Sequence, residues 1–400
     1  MGGAGIKTAA GSGIMPQMPA SPLSVELVDP SAFTPPYDHA LAAALARGGR
    51  ARVELVTSRF AYGDVPRPDG YAVREAFYRW APDRVGGAGS RARRAAKLLQ
   101  HVPDMLRFAA SPNARRADVV HFQWLTVQPL DVHLPPLSLP RGRRPPLVLT
   151  AHDVLPREPR PGQLRAQRRL YERVDAVVVH SEHGAARLRD ELAVDPARVH
   201  AIPHGAFTHF AAIADPAPLP PDLAAVEGPV VLCFGLLRPY KGIDVLLEAW
   251  RGIEGAELWI VGLPKLDLAP LCAAAPPGVR FVPRFVADAE LPAFFRRADL
   301  VVLPYREIDQ SGVLFTALGF GKPLLLSAVG GFPEVAATGA AELVAPGDAA
   351  ALRDALTRLL ADPSARERLA VAARETAATT YSWDAIAARH LALYETLIAQ

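Results

Sequence analysis

Along the chain, short runs of β-branched and leucine residues alternate with longer Ala/Leu/Arg segments whose apolar positions recur at helical spacing. In the first half the strand-like runs are 24–28 (SVELV), 53–57 (VELVT), 118–122 (DVVHF), 147–151 (LVLTA), 176–180 (AVVVH) and 199–202 (VHAI). In the second half they are 230–234 (VVLCF), 257–261 (ELWIV), 279–282 (VRFV), 300–303 (LVVL), 324–327 (LLLS) and 341–344 (AELV). Runs this short and this apolar suit strands buried on both faces, and their alternation with helical segments predicts parallel strands joined by crossover helices. The expected class is α/β, with two parallel sheets of about six strands each.

A proline-rich stretch at 211–228 (AAIADPAPLPPDLAAVEG) can support neither a helix interior nor a central strand, so it reads as the junction between two domains. The division expected is a flexible N-terminal tail over 1–21, a first domain over 22–225, a second over 226–382, and a final helical segment over 383–400. Ligands of open α/β sheets sit at the carboxyl ends of the strands. The chemistry is therefore sought in the residues that follow each strand.

Composition narrows the classes. Half of the 400 residues are apolar, and only Cys233 and Cys272 are present, so neither a disulfide framework nor a cysteine metal site is expected. No run approaches the ~18 apolar residues of a spanning helix, which points to a cytoplasmic protein. The net charge of +3 divides into +7 through residue 225 and −4 beyond it. Residues 91–116 carry seven of those basic side chains against Asp104, while Leu98, Leu99, Val102, Met105 and Leu106 recur at helical spacing. That segment predicts a basic amphipathic helix, either core-facing with a solvated basic side or resting on the inner, anionic face of a membrane. Nothing in it interleaves aromatics with basic residues as a nucleic-acid surface would.

Three loops of the second half carry anion-binding chemistry. The first strand there runs into Gly235-Leu-Leu-Arg238-Pro-Tyr-Lys241-Gly242 and then a helix, placing two cations and free backbone amides together. The chain has 39 arginines but only five lysines, which marks Lys241 out. A second loop holds Glu307, Ile308, Asp309, Gln310, Ser311, Gly312 and Val313, and a third contains Gly330-Gly331. Together the three describe a diphosphate site. In the first half His121, His152, His180 and His204 all fall at strand ends and should converge on one rim, each able to bond a sugar or to serve only as a structural histidine.

With these residues in place, the chain resembles the retaining GT-B glycosyltransferases of family 4 over roughly residues 22–399. The resemblance rests on FGLLRPYKGIDVLLEAW (234–250), QSGV…ALGFGKP…GGFPE (310–334), and the set VVHFQW, LTAHDV, VVVHSE and IPHG. It implies two Rossmann-like domains facing across a cleft, with a nucleoside-diphosphate sugar on the second and an acceptor on the first. It also implies catalytic roles for His152, Arg238 and Lys241. Donor contacts would come from Gly235, Gly262, Arg284, Phe285, Val286 and the 307–313 loop, with Thr316. The acceptor side does not carry over from the family; acceptor contacts are expected from Tyr37, Asp38, His39, His121 and Trp124. The acceptor expected is a sugar, a lipid-linked glycan or a small molecule.

The sequence also departs from the family. Its pair of glutamates falls here on Ile308 and Thr316, leaving Glu307 or Asp309 to reach the donor, and its glycine pair after the first strand is replaced by Thr34-Pro-Pro-Tyr37-Asp38-His39. Charge on the departing diphosphate must be met by fixed cations, because no Asp-x-Asp triplet is present to hold a metal. Neither metal nor cofactor is expected. The competing readings are a nucleotide-sugar binding protein without catalysis and a sugar-nucleotide epimerase; a dinucleotide oxidoreductase is disfavoured because no G-x-G-x-x-G follows the first strand.

Overall fold

The computed structural model describes residues 21–60, 63–80, 91–125, 127–155 and 162–400, with only the backbone of 91–94. Apart from Ser21, the tail expected over 1–21 lies outside the described residues.

The first sheet contains β1 (Leu23–Asp29), β2 (Ala51–Ser58), β3 (Ala72–Phe77), β4 (Val119–Phe122), β5 (Leu147–Thr150), β6 (Ala176–Val179) and β7 (Val199–Ala201), all parallel, in the order 3-2-1-4-5-6-7. The second contains β8 (Val230–Phe234), β9 (Glu257–Val261), β10 (Val279–Val282), β11 (Leu300–Leu303), β12 (Leu324–Ser327) and β13 (Ala341–Val344), in the order 10-9-8-11-12-13. Both orders reverse direction beside the first strand of the domain, which opens a crevice at the carboxyl ends there.

One strand is added to those expected. β3 is an edge strand whose Ala72, Val73 and Glu75 are exposed, so it has no apolar run to announce it. Arg74 pairs with Glu54 on the adjoining β2 and reaches across it to Glu26 on β1, which holds the edge in register.

Two segments tie the domains together. From Phe207 onward the chain already bonds to the second domain: the Phe207 amide donates to the Phe315 carbonyl at 3.1 Å and the Ala217 amide to that of Ala289 at 2.9 Å. Helix Trp383–Ile398 returns to the first domain against helix Pro35–Ala46, with ion pairs Arg47–Asp384 and Arg50–Glu395 at its two ends. Its Trp383 ring covers Gly205, where an added Cβ would come within 2.5 Å of ring carbons.

The helix over Arg91–Ala110 turns an unexpected face inward. His101, Asp104, Met105 and Phe108 are buried, while Leu98, Leu99 and Leu106 are 50%, 79% and 45% exposed. The cause lies outside the helix: His101 bridges the hydroxyl of Tyr78 (2.7 Å) and the carboxylate of Asp131 (2.5 Å), and Asp104 accepts from the Tyr78 amide at 2.7 Å. These polar anchors satisfy buried groups that would otherwise cost several kcal/mol, on the order of 1–3 each, and they leave the leucines in solvent.

Candidate active site

Both crevices open on the same space. Between the domains lies a cavity of about 480 Å³, lined from the first domain by Phe33, Thr34, Tyr37, Trp124, His152, His180 and His204, and from the second by Phe234, Tyr240, Lys241, Phe285, Val286, Asp288, Ile308, residues 310–313 and Thr316.

Lys241 sits on the 3-10 turn Pro239–Lys241 that follows β8. The turn is held by Gly242, at φ +67°, where a Cβ would lie 2.0 Å from the carbonyl oxygen of Pro304. Only 6% of Lys241 is exposed. Its ammonium donates to the hydroxyl of Tyr305 and lies 3.8 Å from that ring's centroid and 5.4 Å from that of Tyr240. A cation seated between two ring faces in a nearly dry position keeps a fixed geometry, and its field is weakly screened. Gly235, φ +113°, faces it, since a Cβ there would stand 3.9 Å from the Lys241 Nζ; at Gly262, φ +144°, a Cβ would meet the Gly235 carbonyl oxygen at 1.8 Å.

Across the cavity three imidazoles surround one tyrosine. The Tyr37 ring lies 4.7, 5.3 and 4.8 Å from those of His152, His180 and His204. Trp124 stacks on His152 at 4.8 Å with 9° between planes, and its indole N–H donates to the Thr34 hydroxyl at 2.9 Å. Phe315 stacks on His204 at 4.3 Å. Burial holds all three histidines below the ordinary imidazole range, His180 at about 4, so each is neutral near pH 7. They offer hydrogen bonds and no positive charge.

Residues 36–205 match the family described as Glycosyl transferase 4-like domain, and residues 228–362 match Glycosyl transferases group 1. The chain is 30% identical over 333 residues to the alpha-maltose-1-phosphate synthase of Mycolicibacterium smegmatis, a match covering 72% of this chain and 81% of that enzyme. The chain belongs to the group 1 glycosyltransferases. It is also 30% identical over 187 residues to the GDP-mannose:glycolipid 4-beta-D-mannosyltransferase of Xanthomonas campestris pv. campestris, which takes in 45% of the chain and 49% of that enzyme; of this relative the chain thus spans about half the length. The sucrose-phosphate synthase of Thermosynechococcus elongatus superimposes with a TM-score of 0.72 at 22% identity, over 94% of this chain and 99% of that one, and the shared fold is GT-B.

The remaining site residues of this glycosyltransferase divide by position. Gln310, Ser311, Gly312, Val313 and Thr316 line the cavity at the start of helix Gly312–Gly319, as do Phe285 and Val286. Ile308 lines it too, in a slot where the family resemblance implies a carboxylate. Thr316 spends its hydroxyl on the Gly312 carbonyl at 2.9 Å.

Several side chains do not face the cavity. Asp309 is 7% exposed and reaches the first domain, pairing with Arg187 at 2.6 Å and accepting from the Val154 amide at 3.0 Å. Glu307 is exposed and lines an outer cavity of about 740 Å³ with Arg238, Arg306 and Asp153. Arg238 thus lines that outer space and not the cavity that Lys241 lines, with Leu236 and Tyr240 bordering both. Arg284 is paired with Glu290 at 2.6 Å.

On the first domain, His121 lies inside the sheet, with one ring nitrogen 2.7 Å from the Tyr394 hydroxyl and the other 2.8 Å from that of Thr150. It takes no part in lining the cleft, because it sits within β4 and not after it. Asp38 is buried beside Asp29; burial and the neighbouring carboxylate raise it well above the usual range, so it is protonated and bonds to Asp29. Asp29 in turn accepts from the amides of Ser31, Phe33 and Thr34, which shapes the loop that lines the cavity. His39 contacts Tyr71 at 2.5 Å in a separate cavity of about 380 Å³ beside the two domain crossings.

Sequence reasoning missed Tyr240, Tyr305 and Asp288 in the site. Tyr305 lies 64 residues from the lysine it holds, and only the pairing of β8 with β11 brings them together. A carboxylate on helix Phe332–Ala336 was missed as well: Glu334 accepts from the amides of Glu182 and His183 at 3.2 and 3.1 Å, while Ser181 caps Gly184 at 3.0 Å. Helix Glu182–Asp190 thus has its free N-terminal donors met partly by the other domain.

Proposed function

We propose that the chain transfers a hexose from a nucleoside-diphosphate sugar held on the second domain to an acceptor hydroxyl offered by the first, with retention of anomeric configuration and without a metal. The observation that carries this reading is the fixed ammonium of Lys241 lining the same cavity as His152. When the anomeric C–O bond breaks, its electron pair passes to the diphosphate. A buried cation and the amides at the start of helix Gly312–Gly319 meet that charge where it develops. Arg238, one cavity outward, faces the same leaving group from the solvent side.

His152 is too weakly basic to take the acceptor proton. The one first-domain carboxylate lining the cavity among the described residues, Asp153, is exposed at the mouth shared with Arg238. In this reading a leaving phosphate oxygen takes the acceptor proton, and attack from its own side of the sugar gives retention. Phe285 and Val286 offer an apolar flank to the base.

The acceptor class includes glycans, lipid-linked sugars and small molecules; the name of the glycolipid mannosyltransferase relative favours the lipid-linked member. The outward leucines of helix Arg91–Ala110, beside Arg107 and followed by Arg115 and Arg116, fit an anionic membrane surface. No helix among the described residues is long and apolar enough to cross a membrane.

The test is thermal unfolding with UDP, GDP and ADP in turn. A ligand at ~100 times its Kd stabilises the folded state by about 2.7 kcal/mol, so one diphosphate should raise Tm and its nucleoside should not. If none of the three shifts Tm, the reading fails.

A further inference from the structure

Hydrogen bonding among the cleft histidines fixes where their protons lie. His180 Nδ1 is 3.2 Å from the Ile202 carbonyl oxygen, which can only accept, so Nδ1 carries the hydrogen. His180 is neutral, with its pKa lowered by burial to about 4, so its Nε2 is a bare lone pair. That nitrogen is 3.1 Å from His152 Nδ1. Two bare nitrogens do not hydrogen-bond, so His152 Nδ1 is the donor, and with His152 also neutral its Nε2 is left without a proton. His152 Nε2 is buried and has no hydrogen-bond partner. The ring has no freedom to turn away, held face-on by Trp124 and edge-on by Tyr37.

We infer that His180 is a positioning residue that sets the tautomer of His152, so that its Nε2 stands as a hydrogen-bond acceptor for a hydroxyl of the transferred sugar. The inference rests on the proposed transfer for its function; the tautomer itself does not. In water the Nε2–H form of histidine is the more common, and that form would present a donor to the sugar. His180, tied to the backbone of the strand end at Ile202, selects the other form. Both of its ring nitrogens are engaged within the protein, by Ile202 and His152, so its effect on the sugar passes through His152. The site is thereby tuned to sugars that present a hydroxyl at this point. A sugar bearing a hydrogen or a fluorine there has no hydrogen to give and leaves the lone pair unmet.

Two-bond 1H–15N spectra of the full chain with 15N-labelled histidine test this, the His152 signals being assigned by their loss in His152→Gln. The expected result is protonated Nδ1 and bare Nε2 for His152, unchanged between pH 6 and 8. In His180→Leu, which removes the acceptor, the spectrum should shift toward the Nε2–H form. His180→Gln, whose side-chain oxygen can accept the same proton, should restore the original pattern. In turnover, His180→Leu should lower kcat by at least ~10-fold with affinity for the free nucleoside diphosphate unchanged, and His180→Gln should recover most of it. A proton on His152 Nε2 in the wild type overturns the inference, as does equal loss in His180→Leu and His180→Gln. If the tautomer is as stated but no nucleotide binds, the fault lies with the transfer reading and not with the proton assignment.

Discussion

Asp309 and Arg187 join the two domains across the cleft at 2.6 Å, and the second carboxylate oxygen of Asp309 takes the backbone amide of Val154. The aspartate stands in the loop that lines the cavity, one residue after Ile308, yet its charge is spent on domain closure. Arg187 lies on the helix whose first amides are capped by Glu334 of the other domain, so both contacts secure one closed arrangement.

Asp309→Ala should therefore loosen closure without removing a ligand contact. Turnover is expected to fall about tenfold, because catalytic geometry assembled by closure is lost, while affinity for the free nucleoside diphosphate stays within about threefold. Calorimetric titration with the diphosphate checks it. A loss of affinity as large as the loss of rate places Asp309 on the donor.

A pH effect is expected from Glu26, which burial and the neighbouring Glu54 raise from 4.5 to about 8 in the folded protein. A carboxylate whose folded pKa lies above its unfolded value gives stability that is complete below about 4.5 and is lost as pH rises through about 8. Glu26→Gln keeps the neutral form at every pH. Its Tm relative to wild type should rise between pH 5 and pH 9, as read by differential scanning calorimetry. A difference that is constant or falls over that range contradicts the assignment.

The outward leucines give a third expectation. The protein should sediment with anionic vesicles at low salt and be released as ionic strength rises, since the attraction is screened within ~8 Å at physiological salt. The double variant Leu98→Ser, Leu99→Ser should bind about tenfold more weakly with Tm unchanged, because both side chains are solvated. Equal binding to neutral and anionic vesicles would show that the surface does not meet a membrane.

What was legible beforehand follows from what each feature needs. The six strands of the second sheet are apolar runs of four or five residues, fully buried in β11 and β12 and only partly so in β10 and β13, and such runs show without partners. β3 is an edge strand bearing Arg74 and Glu75, stabilised by Glu26 and Glu54 from elsewhere, so its own residues do not announce it. The inward face of helix Arg91–Ala110 depends on Tyr78 and Asp131, and apolar periodicity alone points the wrong side to the core. Among the strand-end histidines, His152, His180 and His204 follow or end their strands and meet around Tyr37. His121 is one residue too early and turns into the sheet. Lys241 was marked by rarity and by its glycine-rich loop, whereas the tyrosine that fixes it was invisible at a separation of 64 residues.

If the charge of the leaving group is met by fixed cations, transfer should survive EDTA with less than about a twofold change, and added Mg2+ should have little effect. Abolition by chelation, with recovery on adding back one metal, would replace this account of the chemistry.

The most direct measurement is hydrolysis of UDP-, GDP- and ADP-hexoses in the absence of acceptor, followed by proton NMR for both diphosphate release and the anomer first formed. The account predicts slow release from one of these donors, with the released hexose appearing first in the donor's own anomeric configuration, and release slowed by ~100-fold or more in Lys241→Ala while its Tm stays near that of wild type. First appearance of the opposite anomer, or a Lys241→Ala variant that releases diphosphate at the wild-type rate, would contradict it.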